Sequence, residues 1–256
     1  MNNISALAFD LDGTVYNGNT AIKGARDAVA SLADLNYKIF YFTNNSAKTR
    51  QQIVNKLNRL GFPAKPQNTY CTSDAILTYL LERKLKSVYL IGSEDLKNEL
   101  LARNIRIKKS SRVSAVAVGL DASFDYSKII IALEAINNGA KLVVANTDPS
   151  YPIANNRRLP GCGAMVGAIV GATSHAPDFI IGKPNTYMLE LLCRDHNILP
   201  AEICIVGDSP HSDIKMAGNF NCRSILFDPR NRFKKFSGNK VKSHREIILL
   251  INKKRG

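Results

Sequence analysis

Four short stretches of this chain carry the residue types that handle phosphate and metal. They are Asp10-Leu11-Asp12-Gly13-Thr14, Thr43-Asn44-Asn45-Ser46, Gly182-Lys183-Pro184-Asn185 and Gly207-Asp208-Ser209-Pro210-His211-Ser212-Asp213. Taken as one site, they supply the carboxylates of Asp10, Asp12, Asp208 and Asp213, the Thr43 hydroxyl and the Lys183 ammonium. Crowded carboxylates repel one another, and a hard divalent cation relieves that repulsion. Mg2+ characteristically takes one or two carboxylates together with waters and phosphate oxygens. Lys183, Thr43 and loop amides suit the remaining oxygens of a phosphate, and a carboxylate can attack phosphorus as a covalent nucleophile. The inventory suggests Mg2+-assisted phosphoryl transfer. Each piece alone has a plainer reading: an acid pair in a turn, a helix cap at Thr43, a surface turn at Gly182-Lys183-Pro184, a loop and an N-cap at Asp208 and Asp213. Their order along the chain, each after an apolar run, argues for one shared site.

Those apolar runs are the elements that must position the chemistry. Residues 4–9, 38–42, 179–181 and 203–206 read as strands, as do 88–91, 115–118 and 142–145. Between them, residues 24–35, 49–60, 126–137 and 187–196 place apolar side chains at helical spacing, with Ile53, Val54, Leu57 and Leu60 on one face. Gly61 and Pro63 close the second of these helices. The apolar run 247–251 reads as a C-terminal helix packed on the core. Strands alternating with helices imply parallel sheets covered on both faces. Ligands of such sheets bind beyond the carboxyl ends of the strands, where all four polar stretches fall.

Composition narrows the function classes. At about 150 residues per domain, 256 residues make one or two domains. A hydrophobic share of 45% with 22% charged residues is that of globular proteins and excludes a disordered chain. No apolar run approaches the roughly 20 residues that span a bilayer, so no membrane association is expected. No basic-flanked leader precedes Asp10. The five cysteines (Cys71, Cys162, Cys193, Cys204, Cys222) form no C-x-x-C pair, which fits neither a zinc site nor a disulfide framework. Reduced thiols in a cytoplasmic protein are expected. The net charge is +14, and residues 230–256 hold ten Lys or Arg against one Glu. This basic stretch reads as solvated charge. No nucleic-acid motif accompanies it, so nucleic acid is not expected as a partner.

The four motifs in this order resemble the haloacid dehalogenase (HAD) superfamily, in its NagD-like, 4-nitrophenylphosphatase-like branch. The resemblance rests on Phe9-Asp10-Leu11-Asp12-Gly13-Thr14-Val15-Tyr16, on Phe42-Thr43-Asn44-Asn45-Ser46, on Gly182-Lys183-Pro184-Asn185 and on Gly207-Asp208 followed by Asp213-Ile214. Val118-Gly119-Leu120-Asp121 and Gly161-Cys162-Gly163-Ala164 match the branch's inserted domain. The chain departs from the branch at Asn146-Thr147, where Asn-Pro is usual, and at Pro210-His211-Ser212.

The resemblance implies an α/β fold. Its doubly wound parallel-sheet (Rossmann-like) core would cover residues 1–74 and 178–256, and an inserted α/β cap setting substrate specificity would cover 75–177. It implies Asp10 as nucleophile, forming an aspartyl-phosphate, and Asp12 as general acid and then base. Thr43, Asn44 and Lys183 would bind the phosphate. Mg2+ would be held by Asp10, the Asp12 carbonyl, Asp208 and, through water, Asp213. Asn146, Asp148 and His211 are candidate substrate contacts. The implied activity is Mg2+-dependent hydrolysis of a small phosphomonoester: a sugar phosphate, a nucleotide, phosphoglycolate or a similar metabolite. A phosphotransferase, a non-catalytic relative and a nucleic-acid-end enzyme are the alternatives. A homodimer through the cap is the expected assembly. The other histidines are expected to add little: His175 near a linker, His196 at a helix end, His244 in the basic tail.

Overall fold

The computed structural model describes residues 4–152 and 157–252. Lys253, Lys254 and Arg255 of the basic tail lie outside them. The first half of the chain runs β1 (Ala6–Asp10), β2 (Tyr16–Asn17), β3 (Thr20–Ala21), α1 (Ala25–Asp34), β4 (Lys38–Thr43), α2 (Arg50–Arg59), β5 (Thr69–Cys71), α3 (Thr72–Glu82), β6 (Ser87–Ile91), α4 (Glu94–Ala102), β7 (Arg106–Ile107) and β8 (Ala115–Val118). The second half runs α5 (Tyr126–Asn137), β9 (Lys141–Val144), β10 (Ser150–Pro152), β11 (Arg158–Pro160), α6 (Cys162–Thr173), β12 (Phe179–Ile180), α7 (Tyr187–His196), β13 (Ile203–Gly207), α8 (Lys215–Asn219), β14 (Arg223–Phe227), β15 (Lys240–Val241) and α9 (His244–Asn252).

The described residues divide into two compact units. One draws on Met1–Thr43, Ile53–Tyr70 and Lys183–Gly256, the other on Asn44–Gln52 and Cys71–Gly182. The first holds a six-stranded sheet in the order β15-β14-β13-β1-β4-β5. Its central strands are near-continuous apolar runs, buried on both faces as parallel strands under helices must be. β1 is parallel to both β4 and β13, and Phe9 pairs with Tyr41 on one side and Val206 on the other. The chain leaves β1 toward β4 and β5, then returns to β13 on the opposite side. The strand order therefore reverses at β1, and the crevice beyond such a reversal is where doubly wound sheets place ligands. Asp10 ends β1, Thr43 ends β4 and Gly207 ends β13. On one side α9 buries His244, Ile247 and Ile251 and packs on α1.

The second unit is built on a five-stranded sheet, β12-β9-β8-β6-β7, with every pair parallel. Three boundaries differ from those drawn on the sequence, the first being the start of the second unit's main segment, which falls at Cys71 rather than at residue 75. β12 was placed in the core by a boundary at 178, but it pairs with β9 through Val143 and Val144, and the chain returns to the first unit only at Lys183. Asn44–Gln52 was also read as core. Its backbone is held within the second unit: Thr72 Oγ1 donates to the Asn44 carbonyl (2.9 Å), Ser93 Oγ to that of Ala47 (2.9 Å) and Ser73 Oγ to that of Lys48 (2.6 Å). Ser46 Oγ accepts the Leu120 amide at 2.9 Å. Long-range bonds of this kind leave no trace in local spacing. Among the described residues no helix is long and apolar enough to cross a membrane, and none of the five cysteines forms a disulfide.

Candidate active site

The first motif follows directly from the end of β1. After Asp10 the chain folds back on itself, the amides of Thr14, Val15 and Tyr16 all donating to the Leu11 carbonyl. Gly13 makes this turn possible. Its φ is +91°, a region L side chains disfavour, and a Cβ there would lie 2.7 Å from Asp208 Oδ2. The turn brings Thr14 Oγ1 to within 3.1 Å of Asp10 Oδ2, to which it donates. The other Asp10 oxygen accepts from Lys183 Nζ at 2.5 Å, and Lys183 also donates to Asp213 Oδ1 at 2.7 Å. Lys183 is 3% exposed and Asp213 1%, so this ammonium bridges two carboxylates away from solvent. Thr43 is buried one residue beyond Phe42, the register partner of Asp10.

Asp213 reaches Lys183 from a single turn of π-helix, Pro210–Ile214, directly after β13. Such turns are rare and recur at functional sites. The Ser209 amide donates to Asp213 Oδ2 at 3.1 Å. Gly207 is required here, because a Cβ would lie 2.2 Å from Asp213 Cγ. Oxygens of Asp10, Asp208 and Asp213 all lie within 4.8 Å of one another.

The electrostatics follow from this crowding. Burial alone would lower the pKa of Lys183, but Asp10 and Asp213 reverse the effect and hold the ammonium charged. Burial raises Asp10 well above the usual carboxylate range. Lys183 opposes that rise, while Asp213 and Asp208 add to it. Asp208 is raised by burial and by Asp213, against Arg232. One buried ammonium, with the half-exposed Arg232 beside Asp208, thus faces three carboxylates, an arrangement that favours a further cation. An all-oxygen donor set of this kind suits a hard cation such as Mg2+. Asp12 follows Asp10 two residues later in the same motif. Although the residue is exposed, crowding by neighbouring protein atoms raises its carboxyl, with Lys56 and the Tyr16 hydroxyl opposing. Lys56 Nζ sits 3.7 Å over the Tyr16 ring.

The sequence-predicted residues fall into two groups. Asp10, Lys183, Asp208 and Asp213 converge in the first unit, with Asp12 two residues past Asp10 and Thr43 at the end of the neighbouring β4. Asn44, Asn146 and Asp148 form a cluster within the second unit. Asn44 Nδ2 donates to Asp148 Oδ2 (3.0 Å), Asn146 Nδ2 to the Asn44 carbonyl (2.6 Å) and the Asp148 amide to Asn146 Oδ1 (3.0 Å). His211 is exposed on the π turn.

Two residues of the site's surroundings escaped the sequence reading. His244, assigned to a solvated tail, is 1% exposed, and its Nε2 donates to the Thr14 carbonyl at 2.8 Å. It stands at helical spacing before Ile247 and Ile251, a signal that could have placed it on the buried face of α9. Arg232 donates to Asp208 Oδ2 at 3.0 Å, and nothing local marks it among the basic residues around it.

Comparison with known proteins bears on this arrangement. Residues 7–106 match the family model described as haloacid dehalogenase-like hydrolase, and residues 180–228 match a second HAD-hydrolase-like model. The acid sugar phosphatase of Staphylococcus epidermidis is 34% identical, over 88% of this chain and 86% of its own length. The chain belongs to the haloacid dehalogenase-like hydrolases. A phosphoglycolate phosphatase of Arabidopsis thaliana is 31% identical to this hydrolase, over 88% of the chain and 69% of its own length. Among solved structures, a thermostable NPPase from Geobacillus stearothermophilus superposes with a TM-score of 0.86 at 28% identity, covering 96% of the chain and 98% of its own. The p-nitrophenyl phosphatase from Archaeoglobus fulgidus shares the fold with a TM-score of 0.90 at 20% identity, covering 97% of this hydrolase and 99% of its own chain. These relatives place this hydrolase in the NagD-like, 4-nitrophenylphosphatase-like branch.

Proposed function

We propose that this hydrolase is a Mg2+-dependent phosphatase of small phosphomonoesters that works through an aspartyl-phosphate on Asp10. One observation carries the reading: Lys183 ties Asp10 to Asp213, while oxygens of Asp10, Asp208 and Asp213 lie within 4.8 Å of one another. Asp10 and Asp208, the Asp12 carbonyl and, through water, Asp213 would hold the cation. Bound there, Mg2+ would offset the charge that otherwise sets a carboxylate and a phosphate dianion against each other.

The chain's own residues do the rest. Asp10 attacks phosphorus as the bond to the leaving oxygen breaks. Asp12 gives that oxygen its proton, and its raised pKa suits a group that must first be protonated. Asp12 then takes a proton from the water that attacks the aspartyl-phosphate, which frees Asp10 and releases inorganic phosphate. Lys183 and Thr43 bear on the phosphoryl oxygens, and Lys183 and Thr14 fix the Asp10 carboxylate. The names of two relatives, acid sugar phosphatase and phosphoglycolate phosphatase, support a small phosphorylated substrate.

The test is phosphate release from a panel of sugar phosphates, nucleoside monophosphates, phosphoglycolate and pyridoxal phosphate, with Mg2+. Turnover of one of these with stoichiometric phosphate release is expected. Transfer of the phosphoryl group to an added alcohol, without release, would mark a phosphotransferase instead.

A further inference from the structure

A second cation stands on one of the proposed metal ligands. Arg232 Nη2 donates to Asp208 Oδ2 at 3.0 Å and to the Asp208 carbonyl at 3.4 Å. The contact differs from an ordinary surface ion pair because its loop is built in place. Asp228, which follows β14, is 0% exposed. Its two carboxylate oxygens accept the amides of Arg232 and Phe233, each at 2.9 Å. From β15, Lys240 Nζ donates to Asn231 Oδ1 and to the Phe233 carbonyl, also at 2.9 Å. These bonds set the backbone on both sides of Arg232 and aim its side chain at Asp208. The Arg232 guanidinium also touches this frame, with Nε 3.8 Å from Asp228 Oδ1 and Cζ 5.1 Å from the Phe233 ring centroid, but the framing bonds themselves come from the two backbone amides and from Lys240, so they remain when that side chain is changed.

We propose that Arg232 competes with the divalent cation for Asp208 and so sets an upper limit on the affinity of the free enzyme for that cation. The inference rests on the metal reading above. A carboxylate oxygen bonded to a guanidinium is a poorer ligand, and a dication brought beside that guanidinium meets a like charge. Arg232 is 48% exposed, so solvent screens the repulsion and keeps the effect modest. The same contact gives Asp208 a partner when no cation is bound.

The test reads binding, without turnover. Metal-stripped wild-type protein, Arg232→Gln and Arg230→Gln are titrated calorimetrically with Mg2+ alone, and again with Mn2+ alone. Arg230 is exposed on the same loop, and its replacement removes the same charge. Arg232→Gln should bind both ions more tightly, by about three- to tenfold, while Arg230→Gln stays within about twofold of wild type. Unchanged or weaker binding by Arg232→Gln overturns the proposal, as does equal tightening by Arg230→Gln, which would reduce the effect to net charge. A wild-type protein that binds neither ion would remove the metal reading itself. Wild-type binding with an indifferent Arg232→Gln would remove only the role given to Arg232.

Discussion

Asp10 is restrained through both of its oxygens, by Lys183 on one and Thr14 on the other. A nucleophile held this way is already oriented when substrate arrives, which lowers the entropic part of the barrier. Asp10→Asn keeps the shape and loses the attacking charge, so phosphate release should fall by about 10⁴-fold or more. A variant that retained even a tenth of wild-type turnover would remove Asp10 from the nucleophile's role. Chelation by EDTA should abolish activity and added Mg2+ should restore it, while Ca2+ restores it poorly because it prefers longer bonds and more ligands. EDTA-resistant turnover would count against Asp208 as a ligand. At this scale the sequence was informative wherever a polar stretch followed an apolar run, since alternation puts such stretches at strand ends. It was silent on Arg232, whose position depends on a buried aspartate four residues earlier and on a lysine from another strand. For Asn146 and Asp148 it offered the substrate, whereas in the structure these side chains engage Asn44.

The elements divide by how much of their signal is local. β1, β4, β13, α2 and α7 were legible because each is either an apolar run or a clean helical stripe. α6 was not, because small and apolar residues surround it and leave no stripe to read; α3 buries most of its first two turns in the same way. β7 and β15 have two residues each, too few for any period, whereas the equally short β12 was legible as the end of an apolar run. The link from β13 to the π turn makes a sharp prediction. Gly207→Ala would drive a methyl into Asp213, costing about 1–3 kcal/mol and displacing a partner of Lys183, so melting temperature and activity should fall together. A variant with both unchanged would mean that the turn tolerates what its geometry forbids. α9 supplies a pH signature. Burial lowers the pKa of His244 below its ordinary value, so the unfolded chain takes up a proton more readily than the folded one. The contribution of neutral His244 is complete above pH about 6.5 and is lost as pH falls from there toward the folded value. The stability gap between wild type and His244→Gln, measured by denaturant unfolding, should therefore narrow from pH 7.5 to pH 5. A gap that widened would show that His244 is charged in the fold.

At the scale of the whole molecule, charge and chemistry separate. Truncation after Asn252 removes Lys253, Lys254 and Arg255, which lie outside the described residues. Turnover of a small phosphate ester should stay within about twofold, as for surface changes remote from a site. A large loss with the fold intact would tie the tail to the reaction. The two-unit division was legible in outline from the family resemblance that the motifs carry, but not its seams, because residues 44–52 join their unit through hydrogen bonds to partners up to 104 positions away. That interleaving bears on how the cap can be exchanged between relatives. A graft that replaced residues 71–182 alone would put foreign residues at Thr72, Ser73, Ser93, Leu120 and Asn146 while retaining the host's Asn44–Gln52, whose backbone and side chains are matched to them. The mismatch would begin at the residue after Thr43, inside the second motif. The unit that these bonds define is two segments rather than one, and chimeras that move 44–52 together with 71–182 should fold and turn over where single-segment chimeras do not.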